Sequence, residues 1–172
     1  MTTLNAQPAT SSVVPINRIF VPATFIGKGW GLWRGPADGN GLQGDLEQDN
    51  LSIVLPEVDT SKILLETLLK PDESYTTGEE RIARLIAANR IRFNLNMFQT
   101  FWDDKRLMPP SFSERVNGEF KFIFVDGETL RSPRGERATL AFFRGVLGRW
   151  GWQMEMLYKY RGVNGPSAVL AQ

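Results

Sequence analysis

The sequence contains no cysteine and no histidine. The lack of cysteine excludes disulfides, thiolate metal sites and cysteine nucleophiles. The lack of histidine removes the commonest general base, the Ser-His-Asp triad and imidazole metal ligands. These absences exclude many classes of enzyme, but they do not name a function.

Long apolar runs are also lacking, and no run approaches the roughly 18 residues that a membrane helix needs. The first residues, 1–7, carry neither a basic segment nor an apolar one, so they predict no classical signal peptide. We therefore expect a cytoplasmic or virion protein without a membrane partner. The chain has 172 residues, of which 42% are hydrophobic and 23% charged, a composition typical of one globular domain.

The charged residues are segregated along the chain, although the net charge is only +1. Residues 36–80 contain eleven acidic side chains and two lysines, whereas residues 81–172 contain fifteen basic and eight acidic side chains. Three interpretations stay open. The acidic side of one subunit could meet the basic side of a neighbour, the basic half could face nucleic acid, or the two segments could be solvated faces side by side in one fold.

The pattern of apolar residues predicts an α+β fold with a mixed or mainly antiparallel sheet of about five to six strands and two helices on one face. Helices are expected over 61–70 and 78–89, and strands over 18–26, 51–55, 91–97, 120–125 and 150–160. Asp126-Gly127 predicts a turn, and the stretch 136–147 fits a helix or a strand equally well.

The domain organisation follows from composition. Residues 1–17 are small and uncharged and predict an extended N-terminal arm, residues 18–161 a single globular α+β domain, and residues 162–172 a C-terminal tail. Such an arm can lie along the sheet edge of a neighbouring subunit by strand addition.

Two motifs suggest ligands but fail on their context. Gly39–Gly44 matches GxGxxG, but no strand precedes it and the acidic stretch 45–49 follows where a phosphate-facing helix should begin. The acidic residues 38–49 lack the sixth-position glycine and twelfth-position glutamate of an EF-hand. We therefore predict no metal and no cofactor.

The alternation over 150–160 places Trp, Met and Tyr side chains on one face of a strand. This face could pack in the core, form a subunit interface or stack the bases of a single-stranded nucleic acid beside basic residues. The residues that would bind nucleic acid are Arg131, Arg134, Arg137, Arg144, Arg149, Trp150, Trp152, Tyr158, Lys159, Tyr160 and Arg161.

The sequence favours a non-catalytic, self-assembling structural subunit of a large complex such as a virus or phage particle. Its partners would be further copies or other subunits, contacted through terminal arms and opposed charged faces. The alternative is a single-stranded nucleic-acid-binding protein that uses residues 131–161. A weaker alternative is a small hydrolase that uses carboxylates among Asp103, Asp104, Glu119 and Asp126.

Overall fold

A mixed β-sheet of seven strands organises the protein, whose computed structural model describes residues 11–172. The strands are β1 Val13–Pro15, β2 Gly31–Leu32, β3 Glu57–Asp59, β4 Ile63–Glu66, β5 Thr76–Thr77, β6 Ile91–Arg92, β7 Ile123–Arg131, β8 Arg137–Arg144, β9 Trp150–Met156, β10 Tyr160–Arg161 and β11 Ser167–Leu170. The α-helices are α1 Pro22–Phe25, α2 Gly78–Ala87 and α3 Leu95–Asp103.

The strands of the main sheet follow the order β4-β11-β7-β8-β9, with β2 also paired to β7 and β6 to β11. The β11–β7 pair is parallel, and the other pairs are antiparallel. The α+β class is confirmed, but the expected five to six strands are corrected to seven. Strands β2 and β6 have two residues each, too few to show any alternation.

The main core lies between α3 and one face of the sheet. Leu95, Phe98 and Phe101 of α3 belong to the same buried cluster as Leu140 and Phe142 of β8. Each such side chain contributes about 1.5–3 kcal/mol when it leaves water. The buried apolar side chains of α2, Ile82 and Leu85, lie outside this cluster. The prediction of two helices on one face is therefore wrong.

The helix predicted over 78–89 is confirmed as α2. The hydroxyl of Thr77 accepts a hydrogen bond from the Glu80 N–H at 3.1 Å, which is the standard cap for a free amide of the first turn. Glu79 and Glu80 lie in that turn, where the helix dipole favours negative charge.

The strand predicted over 91–97 is shortened to β6, because a helix begins after Asn94. The Asn94 side chain accepts from the Met97 N–H at 2.9 Å and caps α3. Leu95, Phe98 and Phe101 then lie on one helical face and are buried. The alternation of apolar residues over 91–97 indicated a strand, but the Asn94 cap and the burial of one helical face give a helix from Leu95 onward.

The helix predicted over 61–70 is wrong as well. The Asp59 carboxylate accepts from the Ser61 N–H at 3.0 Å, but it begins a 3-10 turn, Thr60–Lys62, that ends after one turn. Residues 63–66 then extend as β4 and pair with β11. A short apolar run suits a buried strand as well as a helix, and here strand pairing decides.

Two of the expected strands are absent. Within 18–26, Pro22 occupies the first position of α1, where its fixed φ suits a helix. Within 51–55 the chain turns, because the Asp49 carboxylate accepts from the N–H groups of Leu51 and Ser52.

The strand predicted over 120–125 begins later and continues through Asp126-Gly127, so the turn predicted there is wrong. The β7–β8 register shifts between Val125 and Leu130, which marks a bulge. A Cβ on Gly127 would lie 2.7 Å from the Phe93 carbonyl oxygen, so the glycine allows a close backbone approach. The ambiguous stretch 136–147 contains strand β8.

The two terminal segments pair within the chain wherever the structure describes them. Strand β1 pairs with β3, while residues 1–10 of the expected arm lie outside the described residues. The expected C-terminal tail contains β11, whose four residues are buried and which lies between β4 and β7. Small residues such as Ser167 and Ala168 suit this crowded interior position.

Candidate interaction surface

Strand β9 forms one end of the main sheet and pairs with β8 alone among the described strands. The Leu157 N–H bonds to the Arg137 carbonyl, and the Gly145 N–H bonds to the Arg149 carbonyl. Since hydrogen-bonded pairs alternate along an antiparallel ladder, residues 151, 153 and 155 direct their backbone groups to β8. The backbone groups of Trp150, Trp152, Met154 and Met156 point away from β8; we call them the free edge.

The backbone groups of the free edge have few hydrogen-bond partners within residues 11–172. None of its four N–H groups donates to another described residue, and among its carbonyls that of Met156 accepts from Lys159. It extends over about 20 Å at the usual rise of a strand. A row of unpaired N–H and C=O groups of this length is a template for another strand.

Strand β9 has few of the features that protect exposed edges, and Glu155 is its one charged residue. Its seven residues, WGWQMEM, contain no proline and no basic residue, and its register against β8 has no bulge. The opposite end of the sheet, β4, has four residues, and the Glu66 carbonyl there accepts from the Arg81 guanidinium at 3.4 Å. The outer edge of β9 is therefore more available to another strand than the outer edge of β4.

The two faces of β9 differ. Trp150, Trp152, Met154 and Met156 are half-buried and pack against the main core, and the Trp152 ring lies 5.0 Å from the Phe25 ring. Gln153 and Glu155 lie on the other face. At the two ends of the strand, Val146 and Leu147 are 78% and 82% exposed, and Tyr158 and Tyr160 are 59% and 76% exposed.

The basic residues predicted to bind nucleic acid lie at two opposite ends of the β8–β9 hairpin. Arg144 and Arg149 flank the turn 145–148, whereas Arg131, Arg134 and Arg137 lie at or near the β7–β8 turn. Seven residues of strand separate the ends by about 20 Å. Two of the predicted aromatic residues, Trp150 and Trp152, pack on the core, whereas Tyr158, Lys159 and Tyr160 are exposed.

Two of the predicted arginines are already neutralised within the chain. Arg137 forms ion pairs with Glu47 and with Glu79. Arg161 is fully buried and donates to the Asp126 carboxylate at 2.8 Å. Its guanidinium lies 3.7 Å from the centre of the Phe124 ring, a cation–π contact. Neither arginine is free to neutralise a phosphate.

Arg161 belongs to a buried arginine cluster with Arg81 and Arg92. Arg81 donates to the Gly165 carbonyl at 3.0 Å, and Arg92 donates to the Asp126 carbonyl at 2.9 Å. Burial, together with the nearby charge of Arg161, lowers the pKa of Arg81 to about 10. The cluster joins α2, β6, β7 and β10, and the Ser167 hydroxyl of β11 donates to the same Asp126 carboxylate, so the cluster ties the C-terminal segment to β7.

Of the four carboxylates considered for hydrolysis, Asp103 and Asp104 lie together, whereas Glu119 and Asp126 lie elsewhere. Asp103 and Asp104 border a groove of about 350 Å³, but Arg18 pairs with Asp103 and Arg106 with Asp104. The hydrogen bond from Arg106 lowers the pKa of Asp104, so it is not suited to act as a general acid. Asp126 is buried against Arg161, and Glu119 is exposed.

Sequence analysis missed one unusual carboxylate, Glu128 of β7. Burial raises its pKa, and the hydrogen bond that it accepts from the Leu95 N–H at 2.8 Å offsets part of that rise. Its position at the start of α3 makes it a helix cap. No sequence motif marks it, because its contact with Leu95 joins segments that lie 33 residues apart in the chain.

The segregation of charge along the sequence is partly compensated in the fold. Six ion pairs join acidic residues of 36–80 to arginines of 81–172; the acids are Asp49, Glu47, Glu66, Glu73, Glu79 and Glu80. This agrees with the interpretation of two segments lying side by side. Opposed charged faces are therefore a weaker source of contacts than the sequence suggests.

Two further observations concern residues 11–172. No group of three or more acidic side chains there is arranged to hold a metal ion. None of the helices in this part of the chain is both long and apolar enough to cross a membrane.

No protein-family model, no curated protein and no solved structure matches the chain.

Proposed function

We propose that the protein is a non-catalytic structural subunit that self-assembles through the free edge. The observation that carries this proposal is the unpaired outer edge of β9, a strand without proline, basic residue or bulge at the end of a seven-stranded sheet. A protein that functioned as a monomer would be expected to shield such a strand. The setting we propose is a larger particle, such as that of a virus or phage, in which further contacts join these units.

The chemistry of the free edge favours a strand of another polypeptide as its ligand. Backbone N–H and C=O groups at alternate residues match another strand in extended conformation. The half-buried Trp and Met side chains beside them are the residue types enriched in interface cores. The terminal segments contribute less than the sequence suggests, because β1 and β11 pair within the chain.

Proline substitution at the free edge tests the proposal. Met154→Pro and Met156→Pro each remove an N–H that bonds to no described residue, so the β8–β9 ladder keeps its hydrogen bonds. We expect wild-type protein to show a mass by light scattering that is a multiple of 19.4 kDa, and both variants to shift toward the monomer. Circular dichroism checks that the variants are folded.

The control is Ile19→Lys, which changes an apolar side chain that is 79% exposed at a different place. It should leave the mass unchanged. Monomeric wild-type protein at all concentrations, or folded proline variants with the wild-type mass, would contradict the proposal.

A further inference from the structure

The free edge has a pattern that is complementary to itself. In an antiparallel pair of two β9 strands, residues with outward backbone groups must lie opposite one another. A two-fold axis at Gln153 places Trp150 opposite Met156 of the second copy and Trp152 opposite Met154. All four residues of the free edge then pair, whereas an axis at residue 152 or 154 pairs three of them.

The side chains agree with the same register. Each tryptophan lies opposite a methionine, and sulfur–aromatic contacts are favourable. Glu155 lies opposite Gly151 of the second copy, so no like charges are directly opposed. The two Gln153 side chains face each other at the axis, where each amide can donate and accept a hydrogen bond.

Charge and exposed apolar surface support the register independently. Arg149 is exposed and forms no ion pair within residues 11–172; this register puts it diagonally across from Glu155 of the second copy, on the same face. Glu155 has a single ion-pair partner among the described residues, Lys159 at 3.8 Å. The exposed Val146 and Leu147 precede β9 and the exposed Tyr158 and Tyr160 follow it, so antiparallel pairing brings the apolar end of one copy to the tyrosine end of the other.

We propose that two copies pair antiparallel along β9 about a two-fold axis at Gln153, which makes one continuous sheet across both. This inference rests on the proposed function, because it names the partner and the register at the free edge. Such a contact is isologous, so each β9 edge is consumed in one pair and no strand edge is left open at this end.

A cysteine cross-link tests the register. The chain has no native cysteine that could form a competing disulfide. Residues 153 of the two copies form a non-hydrogen-bonded pair, with Cα atoms about 4.5 Å apart, within the range that a disulfide spans. We expect Gln153→Cys to give a covalent dimer under mild oxidation. The control is Glu155→Cys, whose Cα atoms would lie about 14 Å apart and should not cross-link.

The outcomes separate the register from the proposed function. If wild-type protein is oligomeric by mass but Gln153→Cys stays uncross-linked, or both cysteine variants cross-link equally, the register is overturned while self-assembly stands. If wild-type protein is monomeric, the proposed function fails as well.

A charge exchange provides a second test that needs no disulfide. Because the two-fold axis repeats the Arg149–Glu155 contact, Arg149→Glu should weaken dimer formation by about two- to thirtyfold, the change expected for two exposed ion pairs. Adding Glu155→Arg to that variant should restore the wild-type dissociation constant. A double variant that is weaker than Arg149→Glu alone would overturn the proposed diagonal contact.

Discussion

Asp126 is the residue on which the buried arginine cluster depends. Its Oδ2 atom accepts from Arg161 at 2.8 Å and from the Ser167 hydroxyl at 2.6 Å, and neither ionic side chain is exposed. Asp126 is also the carboxylate that opposes the lowering of the Arg81 pKa. Asp126→Asn would thus leave two buried guanidinium groups without their anion.

The expected cost of Asp126→Asn is about 3–5 kcal/mol in the free energy of unfolding, the usual cost of leaving a buried charge without its partner. Arg161→Met should cost less, because Asp126 keeps Arg81 and Ser167 nearby and methionine fills part of the volume. The double variant should lose less than the sum of the two single losses, since it leaves one fewer buried charge than Asp126→Asn.

Urea unfolding followed by tryptophan fluorescence measures these differences. The control is Asp45→Asn, an exposed acid, which should change stability by less than about 0.5 kcal/mol. Two results would refute this account of the cluster. One is a loss below about 1 kcal/mol in the free energy of unfolding for Asp126→Asn, and the other is a loss for Arg161→Met that exceeds the loss for Asp126→Asn.

Three further predictions concern β7 and α3. Burial raises the pKa of Glu128 above 4.5, so wild-type protein should lose stability relative to Glu128→Gln as the pH rises from 4.5. Urea midpoints of the two proteins that change in parallel between pH 4 and 7 would contradict this. Gly127→Ala places a Cβ 2.7 Å from a backbone oxygen and should cost about 1–3 kcal/mol, whereas Gly31→Ala meets nothing within 4 Å and should be nearly neutral; equal urea midpoints would argue against the close approach. Asn94→Ala removes the cap of α3 and should lower stability by about 1–2 kcal/mol; an unchanged thermal midpoint would show that the cap is dispensable.

Sequence patterns predicted the α+β class and helix α2, because each depends on local signals. Glu79 and Glu80 favour the start of a helix through their place in its first turn, independently of the rest of the chain. Similarly, the alternation of Trp and Met side chains predicted β9, though the strand ends at Met156 and not at residue 160.

The errors arose where pairing between distant segments decides the structure. Residues 63–66 and 167–170 are strands because they pair with each other, and neither segment shows this alone. Sheet order is also invisible in one sequence. The alternation over 150–160 therefore could not reveal that β9 lies at the end of the sheet, the property on which the proposed function depends. The division into arm, domain and tail stays a prediction, as does the nucleic-acid alternative.

Residue-resolved amide hydrogen exchange at low and high protein concentration tests self-assembly along the free edge most directly. The N–H groups of residues 151, 153 and 155 bond to β8, so they should exchange slowly at both concentrations. The N–H groups of Trp150, Trp152, Met154 and Met156 should exchange fast in dilute protein and become slow as concentration rises. Fast exchange of these four amides at every concentration would contradict assembly through β9.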